Sequence, residues 1–95
     1  MTIIRTWTWE VDQRDDWLSA AKKFGQLTGE FAGKDFTVLW PTTGPANVRI
    51  VSIRFDNWTS VDLWNDWQET REGKEAVVEL SRFGSVVDRQ SFEVL

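Results

Sequence analysis

The sequence predicts an α+β domain in which strands and helices follow the order β-α-β-β-α-β. Three features indicate this order: an alternating β-rich run over residues 2–11, apolar residues at helical spacing from Trp17 onward, and two further β-rich runs separated by a turn at Gly44. A length of 95 residues is that of one domain. We therefore expect residues 1–95 to form a single unit around one modest core.

The first strand and the first helix make up the start of this pattern. One face of the strand carries Ile3, Arg5, Trp7 and Trp9, and the opposite face carries Ile4, Thr6, Thr8 and Glu10. Bulky side chains on both sides indicate a strand covered on both faces. Asp12 is the candidate N-cap of the following helix. Its apolar stripe begins at Trp17, and Gly29 and Gly33 mark its end region.

Two β-rich runs in the middle of the chain predict a hairpin. Residues 36–40 form the second strand, which Pro41 ends, and residues 48–55 form the third. The segment between them contains the turn residues Gly44 and Pro45. Because this connection is short, we expect the two strands to pair antiparallel.

A second helical region and a final strand complete the predicted order. Thr59 and Asp62 have the spacing of a capping box at the start of the helical region. Gly73 interrupts it, so either one kinked helix or two helices in series are expected, ending at Gly84. Residues 86–95 alternate as a fourth strand. The order is that of the split βαβ, or ferredoxin-like, fold: a four-stranded antiparallel sheet with its helices on one face.

Such a sheet leaves its other face uncovered. In the third strand, apolar groups occupy both faces. One face carries Val48 and Ile50, and the other carries Val51, Ile53 and Phe55. A chain this short cannot cover both faces itself, and exposed apolar surface of this extent marks a partner interface. We therefore predict a homodimer in which two sheets pack face to face.

The composition excludes several classes of function. The chain has no Cys and no His, which removes disulfides, thiolate nucleophiles and the commonest general base and metal ligand. A formal net charge of −4 argues against binding to nucleic acid. No targeting signal and no apolar stretch long enough to cross a membrane is present. We expect a soluble, cytoplasmic protein with no nucleic-acid or membrane partner.

Seven tryptophans are the most distinctive feature of the composition. They could line a flat pocket for an aromatic or apolar ligand, or they could only build the core and the dimer interface. Mid-strand arginines could hold an oxygenated or anionic ligand, or pair with acids on neighbouring strands. The candidate pocket residues are Trp7, Trp9, Trp40, Trp64, Trp67 and Arg54.

Acidic side chains cluster along the second helical region, from Asp62 to Glu79. Side chains spaced three or four apart share a helix face, as metal ligands would. Basic residues are interspersed among them and no His is available, so the pattern indicates a solvated face. We predict no metal site and no bound cofactor.

The segment Ile4-Arg5-Thr6-Trp7-Thr8 resembles the first strand of NIPSNAP-type proteins, and so does the passage from Phe55 into the Trp-rich helix at Ser60 to Trp67. More broadly, the chain resembles the dimeric α/β-barrel superfamily, which includes cofactor-independent antibiotic-biosynthesis monooxygenases and haem-degrading monooxygenases. The resemblance implies a ferredoxin-like protomer, an obligate dimer built on the sheet faces and a small pocket between sheet and helices. Trp7 replaces the usual tyrosine, and the histidine that ligates haem is missing.

Three functions are compatible with these observations. The first is binding of a small apolar or aromatic molecule in a pocket between sheet and helices. The second, implied by the resemblance, is a cofactor-independent monooxygenase whose phenolic, polycyclic substrate supplies the electrons to oxygen once it is deprotonated, with Arg or Asn stabilising the oxyanion. The third is a purely structural dimeric domain, which predicts no pocket.

Overall fold

The computed structural model describes residues 1–95 and confirms the predicted α+β order, with the second helical region divided into two helices. The elements are β1 (Thr2–Val11), α1 (Arg14–Gly29), β2 (Lys34–Leu39), β3 (Val48–Phe55), α2 (Trp58–Gln68), α3 (Arg71–Ser81) and β4 (Gly84–Val94). No helix is both long enough and apolar enough to cross a lipid bilayer.

The four strands form one antiparallel sheet in the order β2-β3-β1-β4, as the ferredoxin-like fold requires. β1 is central, and Trp7 lies opposite Val51 of β3 on one side and Arg89 of β4 on the other. Because every second residue of a strand shares a face, this register fixes which side chains point toward the helices.

The core lies between the sheet and the helices. In β3 the alternate residues Arg49, Val51, Ile53 and Phe55 are buried, while those between them are only half-buried. Aromatic contacts join the two layers: Trp9 of β1 packs against Trp17 of α1, with ring centroids 5.8 Å apart. All the helices therefore cover the same face of the sheet, as predicted.

Two predicted helix caps are replaced by neighbouring residues. Gln13, and not Asp12, is the N-cap of α1, and it makes no side-chain cap hydrogen bond. Asn57, and not Thr59, caps α2, because its side chain accepts a hydrogen bond from the Ser60 backbone N–H at 2.9 Å. Asn is among the strongest N-cap residues, so it begins the helix two residues before the predicted capping box.

The second helical region breaks before Gly73. α2 ends at Gln68, and Thr70 caps α3 by accepting a hydrogen bond from the Gly73 backbone N–H. Gly73 itself lies inside α3, where a Cβ atom would overlap the carbonyl oxygen of Trp67. Its role is therefore close packing of the corner between the two helices.

The face of the sheet opposite the helices is only partly apolar. Ile4 pairs with Phe92, and Leu39 pairs with Ile50, while Thr6 lies among polar side chains between these pairs. Apolar side chains on this face remain substantially exposed, among them Leu39, Phe92 and Val94. We call this surface, defined by Ile4, Leu39, Ile50, Phe92 and Val94, the open sheet face.

Candidate functional site

A cavity of about 490 Å³ lies between the sheet and the helices. Every helix and three of the four strands contribute to its wall. The lining residues are Arg5, Trp7, Trp9, Phe24, Val51, Trp64, Asn65, Gln68, Val77, Leu80, Ser81, Gly84, Ser85, Val86 and Arg89. We call it the tryptophan cavity. Its volume is within the range of small-molecule sites in proteins.

Aromatic rings form one wall of this cavity. Trp7 of β1 and Trp64 of α2 lie with ring centroids 5.3 Å apart and planes tilted by 45°. Trp64 is buried, and its indole Nε1–H donates a hydrogen bond to Thr28 Oγ1 at 3.3 Å. Phe24 meets Trp64 edge-on, at 6.3 Å and 88°. Fixed on three sides, the Trp64 ring is a rigid part of the wall.

Three of the polar lining side chains, those of Arg5, Asn65 and Arg89, lie at one end of the cavity. The half-buried Arg5 lies over the Trp7 ring, with its guanidinium carbon 5.5 Å from the ring centroid. Its Nη1–H donates a long hydrogen bond of 3.5 Å to Asn65 Oδ1. Arg89 is exposed at the same end. Burial, and next the positive charge of Arg89, lower the pKa of the Arg5 guanidinium from its ordinary value.

A β-bulge brings Arg89 to this side of the sheet. Thr8 pairs with Asp88, but the next residue, Trp9, pairs with Val86, so Val87 has no partner on β1. Val86 and Arg89 therefore both face the helices although they are three residues apart. With strict alternation, residues 84, 86 and 88 would share that face, and Asp88 would take the place of Arg89.

The predicted pocket residues divide into two groups. Trp7, Trp9 and Trp64 line the tryptophan cavity together, whereas Trp67, Trp40 and Arg54 lie elsewhere. Trp67 is buried beneath Phe31, with nearly parallel rings 5.2 Å apart. It faces away from the cavity, so its role is packing.

Trp40 lies beyond the end of β2 and is exposed. Its ring stacks on the guanidinium of Arg49, whose carbon is 4.4 Å from the ring centroid. The buried Arg49 also donates hydrogen bonds to the carbonyl oxygens of Ala46 and Val48. This arrangement holds the hairpin connection in place, and neither Trp40 nor Arg49 lines the cavity.

Arg54 belongs to an ion-pair network across β2 and β3. Its Nε–H donates to Asp35 at 2.6 Å and its Nη1–H to Asp56 at 3.1 Å, while Lys34 also donates to Asp56. The hydrogen bond with Asp35 raises the pKa of the Arg54 guanidinium. The hydrogen bond from Lys34, opposed by some desolvation, holds the pKa of Asp56 below its ordinary value of 3.8. A guanidinium with two carboxylate partners is not available to a ligand.

Several lining residues have no signal in the linear sequence. Gln68 and Ser81 belong to different helices, and Ser85 and Val86 follow the last helix, so only the tertiary fold brings them together. Helical spacing from Trp64 does predict that Gln68 shares its face, because residues four apart are neighbours on a helix. The position of Ser81 depends on the helix break after Gln68.

A wider hollow of about 1060 Å³ lies at the surface between α1 and α3. Its rim carries Arg71 paired with Glu75, and Arg82 paired with Glu79. These are exposed ion pairs along one helix, which is the ordinary composition of a solvated face. The smaller tryptophan cavity combines an apolar wall with a few converging polar groups and is the better candidate. No group of three His, Cys, Asp or Glu side chains could hold a metal ion.

No protein-family model and no curated protein sequence matches this chain. Solved structures do match it over nearly its whole length. SnoaB, a cofactor-independent oxygenase from Streptomyces nogalater, matches with a TM-score of 0.83 at 7% identity, over 99% of this chain and 93% of SnoaB. A Caulobacter crescentus protein assigned as an antibiotic biosynthesis monooxygenase matches with a TM-score of 0.79 at 12% identity, over 99% of this chain and 90% of its own.

The chain has the fold of the antibiotic-biosynthesis monooxygenases. A conserved protein of unknown function from Bacteroides thetaiotaomicron shares it as well, with a TM-score of 0.79 at 14% identity, over 98% of this chain and 97% of the other. The structural resemblance predicted from the sequence is thereby confirmed. At such low identity the matches establish a common fold, and the resemblance to NIPSNAP-type proteins stays a prediction.

Proposed function

We propose that this protein binds a small apolar or aromatic molecule in the tryptophan cavity. The observation that carries the proposal is a cavity of about 490 Å³ whose apolar wall includes Trp7, Trp9 and Trp64, with Arg5, Asn65 and Arg89 at one end. A flat ring inserted beside Trp7 would replace water against an aromatic surface, which favours binding. Arg5, Asn65 and Arg89 would orient its polar edge.

Filling the cavity tests this proposal. Val77 lines the tryptophan cavity, whereas its neighbour Val78 is exposed and does not. The probe is the neutral aromatic 2-naphthalenemethanol, and its binding is followed by quenching of tryptophan fluorescence. We expect saturable binding that Val77→Trp abolishes and that the matched control Val78→Trp leaves unchanged. Equal binding by both variants, or no saturable binding by the parent protein, would contradict the proposal.

A second candidate function is oxygenation of a phenolic, polycyclic aromatic substrate without a cofactor. Two observations favour it: the fold is shared with SnoaB, a cofactor-independent oxygenase, and the guanidinium of Arg5 and the amide of Asn65 lie at one end of the cavity. Hydrogen-bond donors at that position would stabilise the oxyanion of a deprotonated substrate, which then transfers electrons to oxygen. Oxygen uptake with hydroxynaphthalenes, lost in Asn65→Ala while probe binding is retained, would support an enzyme.

We also infer that the protein forms a homodimer through the open sheet face. Phe92 and Val94 are about half exposed in the single chain, and Ile4 and Ile50 add further apolar surface on the same face. A second copy would remove this surface from water. A cytoplasmic location stays a prediction from the sequence.

A further inference from the structure

The charges that line the tryptophan cavity are all positive. Its only charged lining residues are Arg5 and Arg89, and no Asp or Glu is among the others. This is unexpected in a chain with a formal net charge of −4. Of the five other arginines, three form salt bridges, among them Arg54 with Asp35, and Arg14 and Arg49 form none. Neither Arg5 nor Arg89 makes a salt bridge; the salt-bridged arginines are Arg54, Arg71 and Arg82.

The two guanidinium groups are close enough to influence each other. Arg89 pairs with Trp7 across β1 and β4, and Arg5 is two residues from Trp7 on the same face. The two arginines are therefore diagonal neighbours, whose separation in a strand pair is about 7–8 Å. The charge of Arg89 contributes to the lowered pKa of Arg5. Two like charges without a counterion destabilise each other, and an anion between them would relieve the repulsion.

We propose that the ligand of the tryptophan cavity carries a planar oxyanion, a carboxylate or an ionised phenol, held between Arg5 and Arg89. This inference rests on the proposed function, since it places the apolar body of the ligand against Trp7. Guanidinium groups are planar and donate paired hydrogen bonds, a geometry that matches such oxyanions. The Asn65 amide accepts from Arg5 through Oδ1, which leaves its Nδ2–H free to donate. A cationic ligand would be repelled at the same position.

A matched pair of probes tests the charge preference. 2-Naphthoate and 2-naphthalenemethanol share one ring system and differ in charge, so both fill the cavity but only the first presents an oxyanion. Tryptophan quenching near neutral pH gives the two dissociation constants. We expect naphthoate to bind at least about tenfold more tightly, since hydrogen bonds to charged groups are among the strongest in proteins.

Variants at the cavity mouth identify the groups responsible. Arg89 is exposed, so Arg89→Met and Arg89→Glu should fold normally even if Arg5→Met does not. Arg89→Met should reduce the preference for naphthoate about threefold, and Arg89→Glu should abolish it, because the affinity for naphthoate falls more than the affinity for the neutral alcohol. Arg71→Met removes a surface cation outside the cavity and is the control for net charge. The same loss of preference in Arg71→Met would contradict a local site.

A third probe distinguishes the source of the oxyanion. The absorption of 2-naphthol reports its ionisation, and its pKa should fall on binding if the site holds an ionised phenol. Preference for naphthoate alone assigns a carboxylate ligand, and a lowered naphthol pKa assigns a phenol; either result supports the inference. Equal affinity for naphthoate and the alcohol, with no naphthol shift, overturns it but leaves the proposed function intact. Failure of every probe to bind overturns both.

Discussion

Arg89 lies opposite Trp7 on the helix side of the sheet, whereas Asp88, its neighbour in sequence, lies opposite Thr8 on the other side. This pairing decides the sign of the charge at the mouth of the tryptophan cavity. The irregular step that produces it, between Val86 and Asp88, lies at a sheet edge, where bulges commonly redirect side chains. Together with Arg5, it turns an apolar cavity into a site suited to anionic aromatic molecules.

The hydrogen bond between Trp64 and Thr28 should support the cavity wall. Thr28 is fully buried, and Thr28→Val removes the acceptor and leaves the Trp64 indole N–H without a partner. We expect a loss of about 1–3 kcal/mol in the free energy of unfolding, measured by urea denaturation. Thr59→Val is the matched control, because Thr59 is exposed in the first turn of α2. An equal effect at both positions would show that the hydrogen bond is unimportant.

Gly73 should tolerate no side chain. A Cβ atom there would collide with the backbone of Trp67 and Gln68, which cannot move without displacing α2. We expect Gly73→Ala to lower the thermal midpoint and to cost about 1–3 kcal/mol. Gly29 has open space around its position, so Gly29→Ala should instead be neutral or stabilise α1 by up to about 1 kcal/mol. If Gly73→Ala and Gly29→Ala lowered the free energy of unfolding by similar amounts, close packing at Gly73 would not be the cause.

Asp56 should make stability depend on pH. Its pKa is held below 3.8, mainly by Lys34, so its ionised form stabilises the folded state. That contribution is fully present above the unfolded pKa and is lost as pH falls through the lower folded value. We expect Asp56→Asn to be less stable than the parent near neutral pH, and the difference to shrink as the pH falls below 3.8 and through the lower folded pKa.

Chemical denaturation of both proteins at a series of pH values measures the difference for Asp56. Glu10→Gln is the comparison, because Glu10 is exposed and makes no ion pair in the structure. Near neutral pH it should be as stable as the parent. A difference between Asp56→Asn and the parent that stays constant down to pH 2 would contradict the assigned role of Asp56.

The open sheet face should hold two copies together. Phe92→Glu introduces a charge into the proposed interface, and its burial there would be costly. We expect the parent chain of 11.1 kDa to sediment as a dimer at micromolar concentration and Phe92→Glu as a monomer. Trp58 is equally exposed but lies at the start of α2, so Trp58→Glu should stay dimeric. If the parent protein sediments as a monomer, the proposed homodimer is contradicted.

Most of the fold could be predicted because alternation and helical spacing are local signals. The bounds of β3 agree with the prediction, and alternation alone predicts that Trp7 and Trp9 share one face of β1. Gly73 does not mark where the second helical region breaks. The break lies earlier, because the Thr70 side chain accepts a hydrogen bond from the Gly73 backbone N–H and so starts a new helix.

The candidate site could be predicted only in part, for reasons of geometry. Trp64 and Trp67 lie on the same apolar face of α2, but that face is wide enough for the two side chains to contact different parts of the core. Trp67 packs on Phe31 and does not reach the cavity. Trp40 lies after the end of β2 and stacks on Arg49, a contact that the alternation of residues along a strand cannot predict. The importance of Arg89 over Arg54 depends on a bulge that no glycine or proline marks in the sequence.

The unpaired Val87 has a consequence that reaches across the sheet. Beyond it, the face of every β4 residue is exchanged, so Phe92 and Val94 are directed to the open sheet face by the same step that directs Arg89 to the cavity. If β4 instead continued in regular pairing from Val86, with Val87 opposite Thr8, residues 88–94 would all move to the opposite face. A single irregular step in strand pairing thus sets both the charge of the cavity lining and the apolar surface proposed for self-association.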